Sequence, residues 1–61
     1  MEIVDYLQNS LQDEMMLQAM YNKYLIEISN PEVRQLFTQL RDSKMKNISL
    51  LQQEIKNMMG Q

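Results

Sequence analysis

Four polar side chains of this 61-residue chain lie where its helical periodicity would place apolar ones. On a helical wheel of about 100° per residue, Glu14 lies near the centre of the apolar arc in the first half of the chain, and Gln18 lies close to it. Lys44 lies in the middle of the arc in the second half, and Asn47 shares its face. Two roles fit these residues: an internal polar layer, or part of a metal site.

The first role follows from the cost of burying charge. A lone carboxylate or ammonium inside a helical bundle is very unfavourable, so we predict that Glu14, Gln18, Lys44 and Asn47 satisfy one another in a single layer. Such a layer adds little stability, but it penalises slipped or inverted packing of the helices. We therefore interpret it as a structural feature that fixes the register.

The second role is a di-metal site. Four-helix di-iron proteins supply a Glu from each of two helices and a Glu-x-x-His motif from each of the others. Residues 41–45 contain no such motif, the chain has no histidine or cysteine, and Lys44 stands where a cation would bind. We expect no metal, no cofactor and no catalytic residue, with metal binding as the alternative.

The elements that must position these side chains meet at Ser29, Asn30, Pro31 and Glu32. Pro31 suits the first turn of a helix and disfavours a helical conformation of Asn30, which makes Asn30 the predicted N-cap. In an alternative register, Ser29 is the cap and Glu32 completes a capping box. Both registers predict a helix over about 3–28, a turn at 29–30 and a helix over about 31–59, in one domain that spans 1–61.

Two helices of similar length joined by so short a turn must pack antiparallel, as an all-α helical hairpin. Residues whose numbers sum to about 59 then lie opposite one another, so Glu14 is predicted to face Lys44. Half of each apolar stripe stays uncovered. We expect a homodimer that forms a four-helix bundle, because a patch can bury itself against its own copy. A monomer with an exposed groove is the alternative.

Composition restricts the possible functions. The net charge is −2 and the basic residues are scattered, which argues against nucleic acid binding. No apolar run approaches the roughly 20 residues of a membrane span, and no export signal follows Met1. Histidine, the commonest general base, is missing. We predict a soluble, intracellular protein that is not an enzyme.

Met16 and Met20 lie about one turn apart on the otherwise polar side of the first helix. They are candidates for a second contact surface, through which bundles would associate laterally. In the alternative interpretation, Met16 and Met20 are scattered exposed apolar side chains with no contact role, since folded proteins expose many such side chains.

A set of residues runs from the second half of the first helix into the second helix and returns at its end: Tyr21, Asn22, Lys23, Glu27, Asn30, Pro31, Glu32, Val33, Arg34, Leu36, Phe37, Met58, Met59 and Gly60. This set resembles the spore coat F family of endospore-forming bacteria. The resemblance implies a ferritin-like helical bundle with a structural role in the spore coat or sporulating cell, and it carries over no catalytic residue. Longer relatives hold a full bundle in one chain, so this chain resembles a half-length member that would dimerise.

Three functions follow as hypotheses. The first is a structural, self-assembling protein of the spore coat, with other coat proteins as further partners and with surface Gln, Lys and Tyr side chains as candidate crosslinking groups. The second is a ferritin-like di-metal or redox protein. The third is a small helical adaptor that binds a partner helix in its groove.

Overall fold

The computed structural model describes residues 1–60, so Gln61, the last residue of the predicted domain, lies outside the described part. The chain forms two helices, α1 (Ile3–Glu27) and α2 (Pro31–Met59). They pack against each other along their length as an antiparallel hairpin. The predicted all-α helical hairpin is confirmed. Neither helix combines the length and the apolar character that crossing a membrane requires.

The turn consists of Ile28, Ser29 and Asn30, so α1 ends one residue earlier than predicted. The amide of Ile28 donates to the carbonyl of Tyr24 at 2.9 Å and completes the last turn of α1. The side-chain Oδ1 of Asn30 accepts hydrogen bonds from the amides of Glu32 at 3.0 Å and Val33 at 3.1 Å. Asn30 is therefore the N-cap of α2, and the alternative in which Ser29 forms a capping box with Glu32 is wrong.

Charged side chains complement the helix dipole at three of the four helix ends. Asp5 lies in the first turn of α1, where its carboxylate accepts a hydrogen bond from the amide of Glu2 at 3.2 Å. Glu32 lies in the first turn of α2, and Lys56 lies in its last turn. The last turn of α1 contains no basic residue of its own. Its carbonyl groups need a partner from elsewhere in the chain.

The core is a narrow seam between the two helices. Among residues 1–60, only Leu25 and Ile48 are buried, with 8% and 9% of their surfaces exposed. Near the turn, the ring of Phe37 packs against the rings of Tyr21 and Tyr24, with centroid distances of 5.7 Å to each. The hairpin measures 46 × 17 × 12 Å, and its radius of gyration of 14.1 Å exceeds the value of about 10 Å for a compact chain of this length. The protein is a single layer of two helices.

The cap geometry predicts that Asn30→Ala lowers the free energy of unfolding by about 1 kcal/mol, because two amides of the first turn of α2 lose their acceptor. Ser29→Ala is the matched control and should change stability little, since Ser29 makes no cap. Urea unfolding followed by circular dichroism, at equal protein concentrations, measures both. A loss caused by Ser29→Ala and not by Asn30→Ala would contradict the observed cap.

Candidate functional site

The centre of the hairpin contains an ion pair between the helices. Lys44 Nζ lies 3.2 Å from Glu14 Oε2 and 3.4 Å from Glu14 Oε1. Asn47 Nδ2, one turn further along α2, donates to Glu14 Oε1 at 2.6 Å. Glu14 and Lys44 lie near the middle of their helices, and their numbers sum to 58, close to the predicted 59. The structure thus brings together three of the four residues of the predicted polar layer.

Gln18, the fourth residue, does not join this group. Its side chain is half-buried, and no hydrogen bond within residues 1–60 connects it to Glu14, Lys44 or Asn47. Gln18 lies one turn closer to the fold-back, level with Arg41 rather than with Lys44. Arg41 instead contacts Asp42 at 3.1 Å and Asn22 at 3.3 Å. The layer is therefore one helical turn deep.

The surroundings of Glu14 favour its charged form. The hydrogen bond from Asn47, together with the hydrogen bond and charge of Lys44, holds the pKa of Glu14 below the usual glutamate range, against the opposing effect of burial. The side chains of Glu14 and Lys44 keep 15% and 22% of their surfaces exposed. An ionised carboxylate at this position is stable because its partners neutralise it and bond to both of its oxygens.

This arrangement has little capacity for proton transfer or metal binding. A carboxylate with a lowered pKa is a weak base at neutral pH, and its oxygens are already occupied by Lys44 and Asn47. A metal ion would have to displace the ammonium group of Lys44. Within residues 1–60, no three side chains of the His, Cys, Asp or Glu type lie close enough together to form a metal site. The geometry fits a determinant of packing register.

Arg34 makes a second connection between the helices, which the sequence reasoning missed. Its guanidinium Nη1 donates to the carbonyl groups of Leu25 and Ile28, the latter at 2.9 Å. Leu25 lies in the last turn of α1, which lacks a basic residue, and Ile28 is the C-cap that follows it. Arg34 therefore supplies both the hydrogen-bond donor and the positive charge that this helix end requires. The rule that opposing residues sum to about 59 pairs Arg34 with Leu25 and could have revealed the contact.

One face of the hairpin carries exposed apolar side chains from both helices. In an antiparallel pair, the residues that come one position before each residue of the seam between the helices lie along the same side of the two helices. Tyr24 and Asn47 mark this side, because they contact Phe37 and Glu14 of the opposite helix. We call this side the apolar face. The large apolar residues that it leaves exposed are Ile3, Tyr6 and Met20 of α1 and Val33, Leu36 and Leu50 of α2, at 36% to 62% exposure. The same rule places five exposed polar residues on this side: Ser10, Asp13, Glu27, Ser43 and Glu54.

The opposite face of the hairpin is mainly polar. By the same helical geometry, it presents amide, hydroxyl and charged side chains interrupted by a few apolar ones: Gln8, Gln12, Asn22, Gln35, Thr38, Asp42, Ser49, Gln52 and Lys56, with Met15, Ala19, Ile26, Met45 and Met59. The two faces of this thin molecule therefore differ in character.

The two methionines predicted to form a second contact surface are both exposed, Met16 at 58% and Met20 at 39%. Met20 belongs to the apolar face, whereas Met16 lies further round α1. A second surface formed by both residues stays a prediction. At the open end of the hairpin, a shallow cleft of about 300 Å³ is lined by Glu2, Ile3, Val4, Met58 and Met59.

The lowered pKa of Glu14 predicts a pH dependence of stability. The ion pair contributes fully above the pKa of an unfolded glutamate, about 4.3, and its contribution is lost as the pH falls through the lower folded-state value. Glu14→Gln removes this titration while keeping the side-chain shape. The stability difference between wild type and Glu14→Gln, measured by urea unfolding from pH 7 to pH 3, should shrink toward acid. A difference that stays constant over this range would refute the assignment.

The contacts of Arg34 predict that Arg34→Ala lowers the free energy of unfolding by about 1 to 2 kcal/mol, since it leaves the carbonyls of Leu25 and Ile28, at the C-terminal end of α1, without their charged donor. Arg34→Lys should restore part of the loss, because an ammonium keeps the charge but not the planar fork. Arg41→Ala is the matched control, with an expected loss below about 1 kcal/mol for an exposed ion pair. Equal melting temperatures of the two alanine variants would contradict the capping role.

No family model, curated protein or solved structure matches the chain. The resemblance to the spore coat F family therefore stays an expectation carried by the residues around the turn. The function has to be inferred from the two connections between the helices and from the apolar face.

Proposed function

We propose that this protein is a structural, self-assembling helical protein without catalytic activity, and that it functions as a homodimer in which two hairpins form a four-helix bundle. The observation that carries the proposal is the apolar face. Its side chains come from both helices and stay exposed in the single hairpin. An exposed apolar surface of this extent is typical of an interface rather than of a monomer surface.

The small core supports the same proposal. The chain exposes 4744 Å², against about 4,200 Å² for a typical compact monomer of this mass. With Leu25 and Ile48 as its only buried residues among 1–60, the hairpin has little apolar burial to offset the entropy lost on folding. Covering the apolar face would add Leu36, Leu50 and their neighbours to the core. Assembly would then supply stability that one hairpin lacks.

A second copy is the simplest cover for this face. A two-fold dimer brings identical patches together, so one surface can serve both partners. The polar layer does not prevent this, because Glu14 already has Lys44 and Asn47 as partners inside each hairpin. Within that layer, neither Glu14 nor Lys44 would be left without a partner when the two faces meet. The layer would instead lie at the centre of the bundle and resist slippage between hairpins.

The proposed setting is the spore coat or the sporulating cell of an endospore-forming bacterium. Its support is the resemblance carried by Asn30, Pro31, Glu32, Arg34 and Phe37. Two of these residues have clear structural roles, since Asn30 caps α2 and Arg34 caps α1. In that setting other coat proteins are the proposed partners, and surface Gln, Lys and Tyr side chains are the proposed crosslinking groups.

The proposal predicts a mass of about 14.6 kDa in solution, twice the 7.3 kDa of one chain, in gel filtration with light scattering. Leu36→Glu places a charge on the apolar face and should shift the mass toward 7.3 kDa, since burying that charge is costly. Gln39→Glu adds the same charge on the outer side of α2 and should leave the dimer intact.

Other results identify the alternatives. A wild-type mass of 7.3 kDa at micromolar concentration would contradict the dimer and favour an adaptor that binds a partner helix. Iron or manganese bound in stoichiometric amount after purification without chelators would favour the di-metal or redox function. Circular dichroism of both glutamate variants establishes that a change in mass does not reflect unfolding.

A further inference from the structure

We infer that the two copies dock through their apolar faces with their turns at the same end of the bundle, so that α1 of each copy lies against α2 of the other. This inference rests on the proposed homodimer and specifies its arrangement. It follows from the separation of charge between the two helices.

The helices carry opposite net charges. Residues 3–27 of α1 contain four carboxylates and one lysine, which gives a net charge of −3. Residues 31–59 of α2 contain five basic and three acidic side chains, which gives +2. Within one hairpin this difference already places an acidic helix beside a basic one. The two-fold arrangement of a dimer determines whether the pattern continues across the interface.

Two arrangements with two-fold symmetry bury the same apolar face. If the symmetry axis runs parallel to the helices, both turns lie at one end and each α1 faces the α2 of the other copy. If the axis runs across the helices, the turns lie at opposite ends, and α1 faces α1 while α2 faces α2. Neighbouring helices are antiparallel in both arrangements, so helix dipoles do not distinguish them.

Charge does distinguish them. Packed helices lie about 8–10 Å apart, close to the Debye length of about 8 Å at physiological ionic strength, so nearest neighbours dominate the interaction. With the turns at one end, each acidic α1 has a basic α2 on both sides. The α1 of the other copy lies diagonally across the bundle. With the turns at opposite ends, two helices of charge −3 lie side by side, and so do two of charge +2. The first arrangement is favoured.

The dimensions support a second copy as the occupant of the apolar face. The broad side of the hairpin measures 46 × 17 Å, a footprint of about 780 Å² per copy. Two such footprints together approach the total of about 1,600 Å² that stable protein interfaces commonly bury. The ion pair of Glu14 and Lys44 lies halfway along the hairpin, so the ion pairs of the two copies would lie at the same level in either arrangement. The choice therefore depends on the helix charges.

The distance between the two turns separates the arrangements. The chain contains no cysteine, so Ser29→Cys provides a single attachment site for a nitroxide spin label. Ser29 is exposed in the turn and makes no cap hydrogen bond. Pulsed electron–electron double resonance on the labelled dimer should give a distance of about 20 Å, since turns at one end lie about one interhelical spacing apart and each label adds its tether.

Each other outcome has a distinct meaning. A distance near the 46 Å length of the hairpin would overturn the inferred orientation and leave the proposed homodimer standing. No intermolecular coupling at concentrations where the label is attached to folded protein would overturn the homodimer itself. The same label in a Leu36→Glu background is the matched control, in which the short distance should disappear.

Discussion

The position of the fold-back determines which residues of the two helices meet. Asn30 begins α2 through its side-chain hydrogen bonds, and Pro31 prevents α1 from continuing into it. From that point, every pair across the seam follows by counting outward. The pairs Leu25 with Arg34, Tyr21 with Phe37, and Glu14 with Lys44 all obey this rule. A change of two residues in the turn would move Lys44 out of reach of Glu14.

The two connections between the helices complement each other. Arg34 joins the helices next to the turn by bonding to the carbonyls of Leu25 and Ile28. Glu14, Lys44 and Asn47 join them roughly halfway to the open end. The apolar contacts between these points are non-directional and would tolerate a shift of one turn. The polar contacts would not, because a shift would leave a partly buried carboxylate without its donors.

The sequence is sufficient for the features that depend on periodicity and local chemistry. Helical spacing and the Asn30–Pro31 pair predict two helices, their ends to within about one residue, and the meeting of Glu14 with Lys44. The sequence does not predict the contacts of Gln18 and Arg34, because a position on the helical wheel gives the direction of a side chain but not how far a long side chain reaches. The counting rule places Arg34 level with Leu25, but the sequence does not show that its guanidinium also reaches the carbonyl of Ile28.

The opposite net charges of the two helices link folding to the proposed assembly. Attraction between an acidic α1 and a basic α2 favours the hairpin, and the same attraction is available to any further helix that lies beside either one. A hairpin with so few buried residues gains more from that second contact than a well-packed domain would. Folding and the proposed association would therefore draw on the same helices. In the proposed dimer, the acidic and basic helices would favour alternating neighbours, and the central ion pair would keep each hairpin in register.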